Sequence, residues 1–524
     1  MRRPIVPLLL IALSSLAMSG CKVTQEDIDY WTGTRKGPGK IVAVLLADKY
    51  ETDLRVYAGV ALVRMQPRPG STETEPVDGV QELQAALERI QDAEERTRIV
   101  DGMAPHLIEM MRGEDAPAAG DGDQVQPRQM RAKDAAFSII PYASDEQRQA
   151  LTDAVVDWFV VDFNGRNLAG NYSAEQVVRE LGAPAASRLV NALNAQLPQQ
   201  ALVKLAELIA TLGNDETKQR AAERLVEIEE EMEGEEFFGW LQERLREQLR
   251  ERQGEDAEID ENRVRAAAML NRENFINLGA LPAMKHLNEE EAVQDRLLEM
   301  AQRTEAENVT PRQMEARRTK ALQALEGGVR EDMVEPLLNL ALNDDNPLGV
   351  RDYAFDRVAD SRSTAALTRL WPAFSDAEDS DWRIRWRVGS LILTLGGSDV
   401  VQRFFNSLDD GEYAHEELYG YGERLSNMRP PPTDFVNAQL SSDDWYDRAI
   451  ALFFWEKRAT ADDVSRITAL SEDDAETQGP HWEEEQATIG GVAEAVARAV
   501  RERLGEDDEE SDASGGDGGD GADE

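Results

Sequence analysis

The strongest constraint on this chain is a recurring pattern in which an apolar residue and an arginine precede a small core residue. Ala354 follows Val350-Arg351, Val388 follows Ile384-Arg385, and Ala321 follows Arg317 and Arg318, so the pattern returns about every 33 residues. It also stands at Leu54-Arg55-Val56-Tyr57-Ala58 and Val264-Arg265-Ala266-Ala267, with a looser copy at Trp445-Tyr446-Asp447-Arg448-Ala449. A unit of that length holds two short helices and a turn. One such pair cannot bury its apolar faces alone, whereas stacked neighbours can. The expectation is a row of helix pairs.

The periodicity is clearest from Asp332 to Leu504. Met333, Leu337, Leu340 and Ala341 keep helical spacing, as do Val350, Ala354 and Val358 after a polar turn at 343–347. Leu367, Leu370, Trp371 and Phe374 mark the next first helix. Ile384, Val388, Leu391, Ile392 and Leu395 mark its partner, which Gly396-Gly397 ends. Val401, Phe404, Phe405 and Leu408 open another pair, Pro430-Pro431-Pro432 is a hard break, and two more pairs run to Leu504. The pattern resembles the second helix of HEAT repeats. The resemblance covers most of the chain and implies an all-α fold, an α-solenoid of stacked antiparallel helix pairs. By analogy with that fold it also implies binding of another macromolecule, although function belongs to sites rather than folds.

The first half is less regular. Pro38 to Met65 reads as one pair, although Ile41 to Leu46 alone passes for a buried strand, and Trp158 to Phe163 leaves the same choice open. The segmentation is 38–112 for N-terminal helix pairs, 113–127 for a flexible acidic linker, 128–253 for repeats with a long charged helix, and 254–505 for the main array. In that long helix Phe238, Leu241, Leu245 and Leu249 form one narrow apolar stripe, as a protruding or edge helix would. Residues 506–524 are only Gly, Ala, Ser, Asp and Glu, a composition that predicts disorder.

Residues 1–20 read as a signal peptide: Arg2 and Arg3, then an apolar stretch over 5–17 too short for a normal span. Met18-Ser19-Gly20 directly precedes Cys21, the one cysteine of the chain. This resembles the lipobox of bacterial lipoproteins, with Met18 where Leu is usual. The resemblance implies lipidation of Cys21, a tether over 21–37, and a membrane anchor in the cell envelope. Lys22 after the cysteine favours the outer membrane by the same resemblance.

Composition excludes several classes. There are 102 acidic against 57 basic residues, a formal net charge of -45, which rules against nucleic acid because phosphate binding needs a basic stripe. Lys is scarce and Arg supplies most of the positive charge, which fits a salty environment and a GC-rich genome equally. One cysteine allows no intramolecular disulfide, and the four histidines lie far apart, so no metal site and no cofactor is expected. A HEAT-like iron hydroxylase family uses several His-Glu dipeptides; here only His415-Glu416 has that form, and His415 reads as a turn or surface histidine. No phosphate loop, nucleophile elbow or complete EF-hand is present. No catalysis is expected. The rival readings are an enzyme of unrecognised type and an acidic envelope protein that binds divalent cations.

Two groups of residues stand out as candidate sites. Trp382, Arg383, Trp386 and Arg387, with Trp445 and Tyr446, combine the residue types that anchor interfaces, although core packing is their ordinary use. The turns inside the pairs carry a surplus of acids: Asp344, Asp345, Asp376, Glu378, Asp379, Asp409, Asp410, Asp443, Asp444, Asp473 and Asp474. Stacking would align them as a negative ridge for a divalent cation or a basic partner. Their plain role would be to cap the helices that follow.

Overall fold

The computed structural model describes residues 22–65, 68–69, 76–113, 127–254, 259–377 and 382–505. The signal segment, Cys21, nearly all of the 113–127 linker and the 506–524 tail lie outside the described residues. The fold is all-α, built of stacked antiparallel helix pairs of the HEAT-like α-solenoid class. The extended pairing among the described residues is a two-residue ribbon, Arg68–Pro69 with Pro76–Val77, and one isolated bridge. The chain forms two compact units, one up to Val293 and one from Gln294.

In the first unit α1 (Gln25–Thr32), α2 (Gly37–Leu46) and α3 (Thr52–Arg64) pack on one another. The segment expected to be a tether therefore holds a helix. Thr24 and Asp27 close a reciprocal capping box at its start, Ile28 is buried, and the Tyr57 hydroxyl donates to the Asp29 carboxylate at 2.7 Å. The apolar run at Ile41 is helical because neighbours cover it on several sides, burying Ile41, Val42, Val44 and Leu45. Next come α4 (Gly79–Arg89), α5 (Ala93–Arg112), α6 (Pro127–Ile139) and α7 (Asp145–Val161), and α7 absorbs Trp158, the other ambiguous run. Then follow α8 (Ala174–Leu181), α9 (Ala183–Leu189), α10 (Gln199–Leu212), α11 (Asp215–Glu233), α12 (Glu235–Gln253) and α13 (Glu261–Phe275). The apolar stripe of α12 packs along α13 through Phe237, Phe238 and Leu241, so this helix belongs to a pair and does not simply protrude. A π turn at Ile276–Ala280 carries α13 on to Lys285, and its wider ladder lies just ahead of Pro282, which has no N–H to give to a regular α bond.

The second unit runs from α14 (Glu291–Gln302, which contains the boundary) through α15 (Pro311–Ala324), α16 (Val334–Leu342), α17 (Leu348–Ser361), α18 (Leu367–Ser375) and α19 (Trp382–Gly396). It continues with α20 (Val401–Phe405), α21 (His415–Asn427), α22 (Thr433–Gln439), α23 (Trp445–Arg458), α24 (Val464–Thr468) and α25 (Ile489–Leu504). The longer second helices α15, α17, α19, α21, α23 and α25 each pack on the next. Contact is closest at α21 and α23: a Cβ on Gly422 would stand 2.8 Å from the Phe454 nitrogen and 2.9 Å from the Ile450 oxygen. A glycine inside a helix, normally unfavourable, is here what lets two backbones meet.

The repeated arginine explains how three of the pairs close. Arg55 Nε donates to the Leu45 carbonyl at 2.8 Å, Arg318 Nε to Ala301 at 2.8 Å, and Arg351 Nε to Ala341 at 3.0 Å. Each carbonyl lies at or near the end of the preceding helix, where it has no partner inside that helix. Three residues on, Ala58, Ala321 and Ala354 are fully buried. Arg265 breaks the rule: it is exposed, so its sequence match carries no clamp.

Candidate functional site

The N-terminal turns of α19 and α21 are tied side by side by a buried network. Arg385 forks onto Glu417, Nε to Oε1 at 2.8 Å and Nη2 to Oε2 at 3.0 Å, and Nη2 also reaches the Glu412 carbonyl at 2.6 Å. The Tyr421 hydroxyl donates to Glu417 at 2.9 Å, and the guanidinium sits 4.4 Å from the Tyr413 ring centre. Burial pushes the Glu417 carboxyl above its usual range, against the opposing pull of Arg385, and pushes Tyr413 and Tyr421 up as well.

The segment between α24 and α25 straps over these turns. The Tyr413 N–H donates to the Gln478 carbonyl at 2.8 Å, His415 N–H to Pro480 at 3.2 Å, and the Trp482 indole to the Tyr413 carbonyl at 2.9 Å. The close pass needs Gly479, at φ 126°, where a Cβ would fall 2.5 Å from the Tyr413 oxygen. His481 follows in the left-handed region at φ 70°, one of the few non-glycine residues to do so.

The strap lays down a layer of rings. Trp482 stands edge-on to Trp445 and His415, at 5.9 and 5.1 Å between centres, and stacks on Phe453 at 6.2 Å. His481 meets the edge of Trp382 at 5.5 Å, and its Nδ1 lies 2.8 Å from Glu416 Oε1. Arg383 lies 5.4 Å from the Trp382 ring centre. Burial lowers the His415 pKa. Burial raises Glu416, but the hydrogen bond from His481 and its own backbone N–H bring it below its ordinary value. Trp382, Trp482 and His415 are half-buried, while Arg383, Glu416 and His481 are exposed. The layer therefore offers flat apolar faces rimmed by both signs of charge, the make-up of an interface anchor.

Some residues picked from sequence are not at this surface. Trp445 and Tyr446 are 6% and 5% exposed because the ring layer closes over them; they are packing residues. Arg387 is paired with Asp352 and Asp356 of α17, both at 3.1 Å, so its charge is already balanced within the chain. The indole N–H of Trp386 is buried, and the ring fills the space a side chain on Gly420 would need. Trp382 and Arg383 remain. His481, Trp482 and Glu416 complete the surface. Sequence reasoning passed over His481 and Trp482 because 471–488 has no periodicity; the signal was two adjacent rings after Gly479-Pro480 in an acidic stretch.

Among the described residues the turn acids do not cap the helices that follow them. α17 and α21 have Pro347 and Ala414 at the N-cap, and Asp444 before α23 makes no side-chain cap bond. Two of the acids pair instead with repeat arginines, Asp344 with Arg351 at 2.9 Å and Asp473 with Arg448 at 2.9 Å. Asp409 accepts from the Tyr413 hydroxyl at 3.2 Å. Asp345, Asp376, Asp410, Asp443, Asp444 and Asp474 are exposed, and Glu378 and Asp379 lie outside the described residues. Among the described residues no three metal-binding side chains converge, and no helix is long and apolar enough to cross a membrane.

The fold is that of an α-solenoid of stacked helix pairs. Among solved structures the chain is similar to Kap121p, with 12% identity, a TM-score of 0.31, and coverage of 89% of this chain and 49% of that one. For Kap121p bound to Nup53p the values are 12%, 0.32, 94% and 51%, and for importin beta 11%, 0.25, 95% and 69%. The chain thus spans about half the length of the Kap121p chains. No protein-family model and no curated protein matches it. Identity this low transfers neither partner nor activity.

Proposed function

We propose that the chain is a lipid-anchored scaffold of the bacterial envelope that binds another protein through the ring layer of its second unit. The carrying observation is that layer: Trp382, His481 and Trp482 brought together from two distant stretches and left partly open, with Arg383 and Glu416 at the rim. Core packing alone has no use for exposed charge against open indole. In an interface of this kind a central anchor carries at least about 2 kcal/mol, roughly 30-fold in affinity. The full chain bearing Trp382→Ala with His481→Ala should lose partners recovered from native membranes by wild type, with an unchanged helical spectrum. Equal recovery by both proteins would sink the assignment.

Anchoring rests on the lipobox-like Met18-Ser19-Gly20-Cys21. Outer-membrane placement rests on Lys22. In cells given a fatty-acid analogue, the wild type should be labelled and sediment with membranes, whereas Cys21→Ala should do neither. An unlabelled wild type would remove the anchor from the proposal.

A further inference from the structure

The opposite ends of the second helices carry a different surface. Between the C-terminal ends of α19 and α21 lies a groove of about 310 Å³ whose lining includes Arg424 and Arg429 together with Thr394 and the apolar Leu393, Met428 and Pro430. Among the described residues Arg424 and Arg429 have no carboxylate within ion-pairing distance, although Glu423 is next in sequence to Arg424 and exposed. In a chain with 102 acids and 57 bases, two unpaired arginines on one groove are unexpected. The α21 dipole accounts for Arg424, in its last turn, but not for Arg429, past the helix end.

The helix ends lead from this groove to the start of the acidic tail. Arg458, at the end of α23, donates to the Ser426 carbonyl of α21 at 3.1 Å. Arg503, at the end of α25, donates to the Ala459 carbonyl beside α23 at 2.6 Å. The ends of α21, α23 and α25 therefore lie in a row. Two packing steps of roughly 8–10 Å separate α25 from α21. An extended chain advances about 3.3 Å per residue, so the stretch from Gly505 to Asp512 spans roughly 23 Å. Within it stand Glu506, Asp507, Asp508, Glu509, Glu510 and Asp512.

We propose that the groove is a binding site for a carboxylate-rich peptide and that its occupant is the acidic tail of this same chain, with Glu510 and Asp512 the first of its acids within reach of the two arginines. α25 ends at Gly505 on the arginine-bearing edge, away from the acidic turns at the other. Each contact is an exposed ion pair, so docking depends on several at once and is screened by salt.

The test uses the full chain with Cys21→Ser and labelled cysteines at Gln402→Cys and Ala513→Cys. Distances are measured by pulsed dipolar spectroscopy. A short-distance population at low salt is expected. It should be lost at high salt, and lost at low salt in Arg424→Glu/Arg429→Glu or in the milder Arg424→Gln/Arg429→Gln, with the helical spectrum intact. Identical distributions in wild type and both variants would overturn the proposal. So would a distant tail label in wild type while an added polyglutamate peptide binds in an arginine-dependent way, because the groove would then serve a foreign acidic chain.

Discussion

Glu417→Leu alone should lower the stability of the second unit by about 3–5 kcal/mol, the usual cost of stranding one member of a buried ion pair. Arg385 and Glu417 are 4% and 0% exposed, so water cannot take over for the missing carboxylate. The guanidinium would keep the Glu412 carbonyl and the Tyr413 ring but lose its forked contact with a buried carboxylate. Tyr421 would lose one acceptor but retain the Arg385 carbonyl at 3.0 Å. The paired change Arg385→Met with Glu417→Leu should recover most of the loss, because two apolar side chains need no partner and the desolvation cost of both charges disappears. Denaturant unfolding of the two variants and wild type separates these terms. A Glu417→Leu loss below about 1 kcal/mol would mean that the pair is hydrated and contributes as little as a surface bridge.

The same network shows what the sequence carried and what it concealed. Arg55, Arg318, Arg351 and Arg385 were legible as a repeat, and the residue three places on is buried in every case. Their partners were not legible, because a backbone carbonyl leaves no trace in the side-chain pattern, and Arg265 shows that the pattern occurs without the contact. Periodicity found the helices and fixed the all-α class, but it was ambiguous for Ile41 to Leu46, a short run buried on several sides. The candidate site was half visible. Trp382 and Arg383 lie on a periodic helix, whereas His481 and Trp482 lie on a strap whose path is set by hydrogen bonds to Tyr413 and His415. Gly420 and Gly422 were passed over because mid-helix glycine reads as weak helix propensity; in the fold they admit Trp386 and the α23 backbone.

Asp447→Asn should stabilise the chain at neutral pH, which is unusual for removal of a charge in the first turn of a helix. The α23 dipole favours an anion there. Burial outweighs it: Asp447 is 7% exposed, Oδ1 has no hydrogen-bond partner, and Oδ2 accepts from Ser442 at 2.9 Å. Desolvation therefore raises its pKa from 3.8 to about 6, with Asp444 adding to the rise and Ser442 and Arg448 opposing it. Between those two values the folded chain holds a proton that the unfolded chain has released, so rising pH drains stability across that window. At 1.36 kcal/mol per unit, the loss by neutral pH is of the order of 2–3 kcal/mol. Asparagine keeps the shape and the Ser442 contact without the buried charge. The gain should be near its full size at neutral pH and should vanish near pH 3, where Asp447 is protonated in the folded chain and largely so in the unfolded one. The variant-minus-wild-type difference isolates this carboxyl, because self-repulsion among the remaining acids is common to both proteins and cancels. A difference that stays flat from acid to neutral pH, or favours wild type at neutral pH, would show that Asp447 is ionised and adequately solvated in the fold.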